Sequence, residues 1–316
     1  MRLVLVLALV ALPCWGQNYP PKPIRLVVPF APGGSSTIVA RSVAFEMEKA
    51  LGQNIVIENK GGGGGNPAML DVARADPDGY TLLVTHIGSL ALNPYLYSNL
   101  PFDVNRDFVH ISLLAKVPNI FVVHESVPAK DAREFVALAK KEPGKFYYGS
   151  AGNGSAGHLA MEYFKLVAGI ELQHVPYKGT GPNLVDLVAG RTHATSAGTP
   201  PLMPHVKAGK LRVIGVGSPK RLPSLPESPT IAEQGFAGFE TSQWYGLSAP
   251  AKTPAAVVKR LADEAARAAR SPAVVERYKA DDAEAVGSTP QEYTDFIAKE
   301  QARWKDVIQR ANIKID

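Results

Sequence analysis

Two stretches of this 316-residue chain place glycines and hydroxyl side chains between an apolar extended run and a helical pattern. One is Pro29-Phe-Ala-Pro-Gly-Gly-Ser-Ser-Thr37, after Ile24 to Val28; the other is Tyr148-Gly-Ser-Ala-Gly-Asn-Gly-Ser-Ala-Gly-His158, after Phe146 to Tyr148. The N–H groups of a helix's first turn lack intrahelical acceptors, and the helix dipole adds positive potential, so such turns suit carboxylate or phosphate. Facing each other across a cleft, two of them would hold one small anion from both sides. The plainer reading of the glycines is a tight strand-to-helix connection that needs positive φ.

Other constellations invite chemistry and fit it less well. Ser155 and His158 suggest an exported serine esterase, but the frame Asn153-Gly-Ser-Ala-Gly157 lacks the first glycine of a nucleophile elbow. A separation of three residues at a helix start is also not the usual catalytic arrangement. Gly152 to Gly157 satisfies G-x-G-x-x-G, yet Val175-Pro-Tyr-Lys178 stands where a dinucleotide fold places its acid, so no cofactor is expected. Gly61 to Gly65 lacks the lysine and hydroxyl of a P-loop and reads as a flexible loop. The 7 histidines show no metal-binding spacing, and Cys14 is the only cysteine, so no metal site is expected. His86 and Ser89 follow the Thr81 to Val84 strand, where cleft residues emerge in an open α/β sheet. Gly198 and Thr199, ahead of Pro200-Pro201, are candidates for a cleft wall.

The N-terminus bears on compartment. Residues 1–16 carry one positive charge at Arg2, an apolar core from Leu3 to Leu12, Pro13, then Cys14-Trp15-Gly16. That is the layout of a signal peptide, with Gln17 as the expected mature start and the periplasm as destination. A lipoprotein would need a small residue where Pro13 stands. No later apolar run reaches the roughly 18 residues of a spanning helix. The net charge of +5 is dispersed without a basic block, which argues against nucleic acid.

Length suggests two domains at about 150 residues each. Strands alternate with helices, which implies βαβ units and a largely parallel sheet. Val39, Val43, Met47 and Ala50 mark one helix face, and Leu159, Tyr163 and Val167 another. Thr289-Pro290-Gln291-Glu292 is an N-cap, a proline at N1 and a capping-box glutamate. The expected division is lobe 1 at residues 17–118 plus 246–316 and lobe 2 at 119–245, with two crossings acting as a hinge. Trp244 and Tyr245 fall at the second crossing, where packing is the first expectation and a cleft role the second.

The succession of Pro29-Phe-Ala-Pro-Gly-Gly34, Glu58-Asn59, Pro77-Asp-Gly-Tyr-Thr81, Gly149-Ser-Ala-Gly-Asn-Gly-Ser155, Val175-Pro-Tyr-Lys-Gly-Thr-Gly-Pro182, Lys207-Ala-Gly-Lys-Leu211 and Glu300-Gln-Ala-Arg-Trp304 resembles the Bug-type solute receptors of tripartite tricarboxylate transporters. The resemblance covers essentially the whole chain after the leader. It implies an α/β type II periplasmic binding protein: two lobes, a cleft, and closure around a small carboxylate, with no catalysis. It also implies a permease partner, and a monomer is expected. Carried onto this sequence, the first turn contributes Phe30, Ala31, Ser35, Ser36 and Thr37, and the second Ser150, Ala151, Asn153, Gly154, Ser155 and His158. Two departures stand out: such receptors commonly have aspartate where Thr37 stands and often where Ala197 stands. Without those carboxylates a ligand ammonium lacks a counter-charge, so a plain carboxylate is expected. The competing expectations are the esterase and a module that delivers its ligand to a signalling protein.

Overall fold

The side chains of strand β1 (Ile24–Val28) alternate between two cores. Ile24, Leu26 and Val28 share one buried cluster with Val39, Val43 and Met47 of helix α1 (Ser35–Leu51) and with Val257, Leu261 and Ala265 of α8 (Ala255–Ala269). Val27 points the other way, to Met69 and Val72 of α2 (Asn66–Ala73) and to Tyr293 and Ile297 of α10 (Pro290–Ala311). A strand buried on both faces reads as a continuous apolar run for this reason. The computed structural model describes residues 19–311, so the expected leader lies outside the described residues.

β1 is flanked in parallel by β2 (Ile55–Asn59) and β3 (Thr81–His86). β9 (Ser242–Pro250) runs antiparallel to β3, and β4 (Phe108–His124) antiparallel to β9. β4 is the long element that joins the halves. From Phe108 to Pro118 it pairs with β9, and from Asn119 onward with β7 (Ala194–Gly198) and β8 (Leu211–Val216). β7 leads to a second parallel flank, β5 (Tyr147–Ser150) and β6 (Gln173–Pro176). The short β10 (Glu284–Ala285) pairs with β4 at Lys116 and Ala115.

The expected largely parallel sheet is thus corrected: each half keeps a parallel flank, and the middle is antiparallel. Local alternation of strand and helix reports crossovers, but a 17-residue strand serving two halves leaves no such signature. Pro118 sits inside β4 where the β9 ladder begins, opposite Ser242, so its missing N–H is tolerated at that end.

The second half has two cores of its own. One gathers Phe121, Phe135 of α4 (Ala132–Lys141) and Phe164 of α5 (Ala156–Ala168); the other gathers Ile120, Leu187 of α6 (Thr180–Val188) and Leu202 of α7 (Thr199–Lys207). The expected face of α5 is rotated: Val167 is 40% exposed, and Ala160, Met161 and Phe164 join Leu159 inside. In α1 Leu51, not Ala50, ends the buried stripe. The α10 cap forms as its sequence implies, with Thr289 N–H donating to Glu292 at 2.8 Å and Glu292 N–H to Thr289 Oγ1 at 3.2 Å. α8 and α10 both pack on the first half, α8 through the β1 cluster and α10 through the opposite one. Among the described residues no helix is long and apolar enough to cross a membrane.

One close packing point is decisive. Tyr293 lies fully buried with its hydroxyl 2.7 Å from Thr85 Oγ1, and a Cβ at Gly246 of β9 would come within 2.2 Å of its ring. Neither strand nor ring can retreat from a filled core. Gly246→Ala is therefore expected to cost about 2 kcal/mol of unfolding free energy, read by urea denaturation; a midpoint unchanged from the parent would show that the core yields there.

Candidate functional site

Three helix N-termini and three strand ends converge between the halves. α1 begins at Ser35 after an extended Gly34, α5 at Ala156 with Ser155 as N-cap, and α6 at Thr180. β3 ends in His86, β7 carries Ser196 and Ala197, and β9 brings Gln243 and Tyr245 on one face, two residues apart. These elements line a small cavity of about 20 Å³. Phe30, Ser36, Ala151 and Gly157 complete the wall with Asn183 from the second turn of α6. No Asp, Glu, Lys or Arg is among the residues that line it.

Four lining residues carry a buried polar atom without a hydrogen-bond partner: Ser35 Oγ, His86 Nε2, Asn183 Oδ1 and Ser196 Oγ. Each residue is buried to within about 3% of complete, at 2%, 2%, 1% and 2% exposure respectively. Buried polar groups are nearly always paired, so a cluster of unpaired ones around one cavity marks a place built to meet a polar molecule. Backbone donors add to it, because the N–H groups of Ser35 and Ser36 and of Ala156 and Gly157 precede the first acceptors of their helices.

His86 is fixed by its own turn. Its Nδ1 accepts from Gly88 N–H at 2.9 Å, so the neutral ring carries its proton on Nε2, and Ser89 Oγ clamps the His86 backbone. Burial pushes its pKa down to about 3; the Gly64 carbonyl opposes this weakly and does not meet Nε2 in hydrogen-bonding geometry. The Phe30 ring lies 4.6 Å from it. At neutral pH the cavity therefore meets a neutral donor here and not a cation.

The second glycine turn rests on a column of rings. His158 stacks on His174 at 4.3 Å, and His174 on Tyr148 at 4.8 Å, whose hydroxyl bonds Glu162. His174 Nε2 is 2.7 Å from Ser150 Oγ, and Ser150 Oγ accepts from Gly152 N–H at 3.0 Å. Burial, with the neighbouring ring and Lys165, pushes His174 down to about 3, and burial with Lys165 pushes His158 to about 4. Ser155 Oγ accepts from His158 N–H at 3.2 Å, while His158 Nδ1 accepts from Gly154 N–H at 3.2 Å. The imidazole thus holds the loop and makes no hydrogen bond to the serine hydroxyl that an esterase would activate.

Of the residues singled out from sequence, Phe30, Ser35, Ser36, His86, Ala151 and Ser155 line the cavity. Ser89, Ser150, Gly154 and His158 sit behind it and hold lining segments in place. Thr37 turns away, its Oγ1 accepting from Asn59 Nδ2 at 2.8 Å, and Thr199 bonds the Asp281 carbonyl. Gly198 lets Ser35 approach, since a Cβ there would lie 2.5 Å from Ser35 Oγ. Ala31 and Asn153 serve the seam between halves: Ala31 N–H donates to the Lys178 carbonyl at 2.9 Å, and the Asn153 carbonyl accepts from Tyr97 at 3.1 Å. Sequence reading missed Thr180, Asn183, Ser196 and Gln243 as lining residues; Thr180 lies inside a motif already marked, Val175 to Pro182, and Asn183 directly follows it. Ala156, Gly157 and Ala197, flagged only for motif or spacing, also face the cavity.

The seam is made by glycines. A Cβ at Gly61 would come within 2.3 Å of the Lys178 carbonyl oxygen, one at Gly64 within 2.2 Å of the Asn153 carbonyl oxygen, and one at Gly181 within 2.1 Å of that of Pro32. The Gly61 to Gly65 run, expected as a flexible loop, carries part of this contact as a tight turn in which Gly62, Gly63, Gly64 and Gly65 all take positive φ. Among the described residues no group of three or more His, Cys, Asp or Glu side chains is placed to hold a metal.

Residues 39–313 match the family described as tripartite tricarboxylate transporter family receptor. The R. palustris protein Rpa4515, solved with adipate, is 36% identical, covering 94% of this chain and 99% of its own, with a TM-score of 0.91. The periplasmic binding protein BugD is 34% identical over 94% of this chain and 99% of its own, also at 0.91. MatC from Rhodopseudomonas palustris, solved with bound malate, is 32% identical over 92% and 100%, at 0.88. The fold is therefore the mixed α/β architecture of periplasmic binding proteins of this type.

The neutral state of His86 has a consequence for stability. The unfolded chain protonates its histidines near pH 6.5, whereas folded His86 stays neutral down to about 3. Between those values the unfolded state binds more protons, so stability present above 6.5 is lost as pH falls. In urea unfolding between pH 6.5 and 4.5, His86→Gln is expected to reduce the slope against pH by up to one proton, about 1.4 kcal/mol per pH unit. Identical slopes would mean that His86 titrates normally in the fold.

Proposed function

The chain belongs to the tripartite tricarboxylate transporter receptor family, and from that premise we propose that it captures a small organic carboxylate between its halves and presents it to a membrane permease. The observation that carries this reading is the charge-free cavity in which unpaired polar atoms from both halves meet three helix N-termini. A carboxylate there accepts N–H and O–H hydrogen bonds of the charge-assisted kind, and the helix dipoles substitute for a counter-ion. The adipate and malate held by two relatives are of this chemical class.

Residues 19–118 with 242–311 form one lobe in this reading and 119–241 the other. The second crossing is drawn at Thr241 and Ser242 because Ser242 to Tyr245 pair with the first-half stretch of β4. The crossings act as a hinge, and the glycine seam is the closed edge. Ligand held by both halves favours the closed form, and the permease recognises that form. The protein acts as a monomer in the periplasm, reached through removal of the leader at residues 1–16. The esterase alternative finds no support in the His158 geometry, and no observation favours delivery to a signalling protein over delivery to a permease.

Ser155 offers the sharpest test. Aspartate is as good an N-cap as serine, so α5 should persist in Ser155→Asp while a fixed negative charge takes the anion's place. A thermal-shift screen of mono-, di- and tricarboxylates is expected to raise the Tm of the parent and leave the variant unmoved; an equal rise in both would remove Ser155 from the site. Closure is tested separately. Gly61→Val should hold the seam apart, so that X-ray scattering no longer shows the ligand-induced decrease in radius of gyration expected of the parent. Compaction of the variant equal to the parent's would refute the seam as the closing edge.

A further inference from the structure

The two most exposed large apolar side chains among the described residues are Val185, at 65%, and Phe45, at 60%. They belong to different halves, Phe45 to α1 and Val185 to α6. Both helices start at the seam, where a Cβ at Gly33 would lie 3.2 Å from Gly181 Cα. Val185 stands four residues after Gly181, on the same face of α6. Ile38, Arg41 and Phe45, spaced by three and four, form a stripe that leads away from Gly33 along α1. Apolar surface from both halves thus flanks one backbone contact.

The α1 stripe is one wall of a groove of about 570 Å³, and α9 (Pro272–Lys279) supplies the other. Pro32 and Gly33, the first-half side of the seam, lie at its end nearest the start of α1. Arg41 and Arg277 both line it. Among the described residues neither has an ion pair or a hydrogen bond; Arg277 is within electrostatic reach of Asp281 but does not pair with it. The one acid in the wall, Glu46, is bonded to Lys49 at 2.7 Å. The groove therefore keeps two uncompensated guanidinium groups beside an exposed aromatic ring. Arginine and aromatic side chains are enriched at protein interfaces, and a guanidinium matches a carboxylate in a bidentate fork.

Resting on the receptor reading above, we propose that this face docks the permease, through a segment that brings carboxylates to Arg41 and Arg277 and apolar side chains to Phe45 and Val185. A partner that distinguishes closed from open receptor needs a surface that exists in one state only. Here closure itself assembles the surface, because Val185 stands beside α1 only when Gly181 rests against Pro32 and Gly33. Lipid phosphates would also meet the arginines, but a bilayer makes no use of a surface joined from two halves. None of these docking side chains lines the carboxylate cavity, so capture and docking are separate tasks of one closed form.

The test measures uptake of the radiolabelled carboxylate that most raises the parent's Tm, in host cells that lack their own copy of this chain and carry parent or variant at equal abundance. Arg41→Glu with Arg277→Glu, and separately Val185→Glu from the other half, are each expected to lower uptake roughly tenfold or more. The purified variants should keep the parent's thermal shift with that carboxylate. Uptake equal to the parent's in either variant would overturn the proposal and leave the receptor reading standing, as would loss of the thermal shift together with uptake. The proposal also falls if the parent sediments with phosphatidylglycerol vesicles, or forms a dimer in light scattering, and the double variant does not. If no carboxylate raises the Tm, or cells with the parent take up no more than cells without the chain, the receptor reading itself falls.

Discussion

An anion held in a cavity without a cation depends on dipoles delivered at close range. In the proposed site those dipoles are the first turns of α1, α5 and α6, and they come from both halves of the molecule. Backbone approaches backbone across the cleft at Gly61, Gly64 and Gly181, which face carbonyl oxygens at distances that no Cβ would tolerate. The proposed grip and the glycine seam thus depend on the same close approach of the two halves.

The sheet supplies the geometry. Because β4 continues from the β9 ladder into the β7 and β8 ladders, the two halves share a strand, and the residues near its midpoint lie beside the cavity. β9 returns alongside it and brings Gln243 and Tyr245 to the wall, with the Tyr245 hydroxyl bonded to Gln243. Trp244, on the opposite face of that strand, packs into the first half and donates from Nε1 to Glu300 at 2.9 Å. One strand therefore serves the site with one face and the core with the other, as its two-residue period dictates.

Behind the second turn, the stacked Tyr148, His174 and His158 rings support the loop in a chain whose single cysteine allows no internal disulfide. Burial, reinforced by Lys165, holds both histidines neutral, which keeps their positive charge away from the loop whose N–H dipoles the proposed site uses. Read as sequence, Ser155 and His158 resemble parts of a catalytic device. In the fold each bonds the other's loop backbone, and both act as supports.

Sequence alone determined the features that are local. The two glycine turns, the N-caps at Ser155 and Thr289, the buried stripe of α1 and the resemblance to a receptor family all follow from residues close together in the chain, where period, capping and turn chemistry operate. Phe30, Ser35, Ser36 and Ser155 were legible for the same reason. Only tertiary structure decided the rest: that β4 is one strand and not two, that Thr37 faces Asn59, and that Asn183, Ser196 and Gln243 join the wall. Those residues lie on three separate elements whose convergence depends on long-range strand pairing, and no short-range pattern encodes which side chains a closed cleft will bring together.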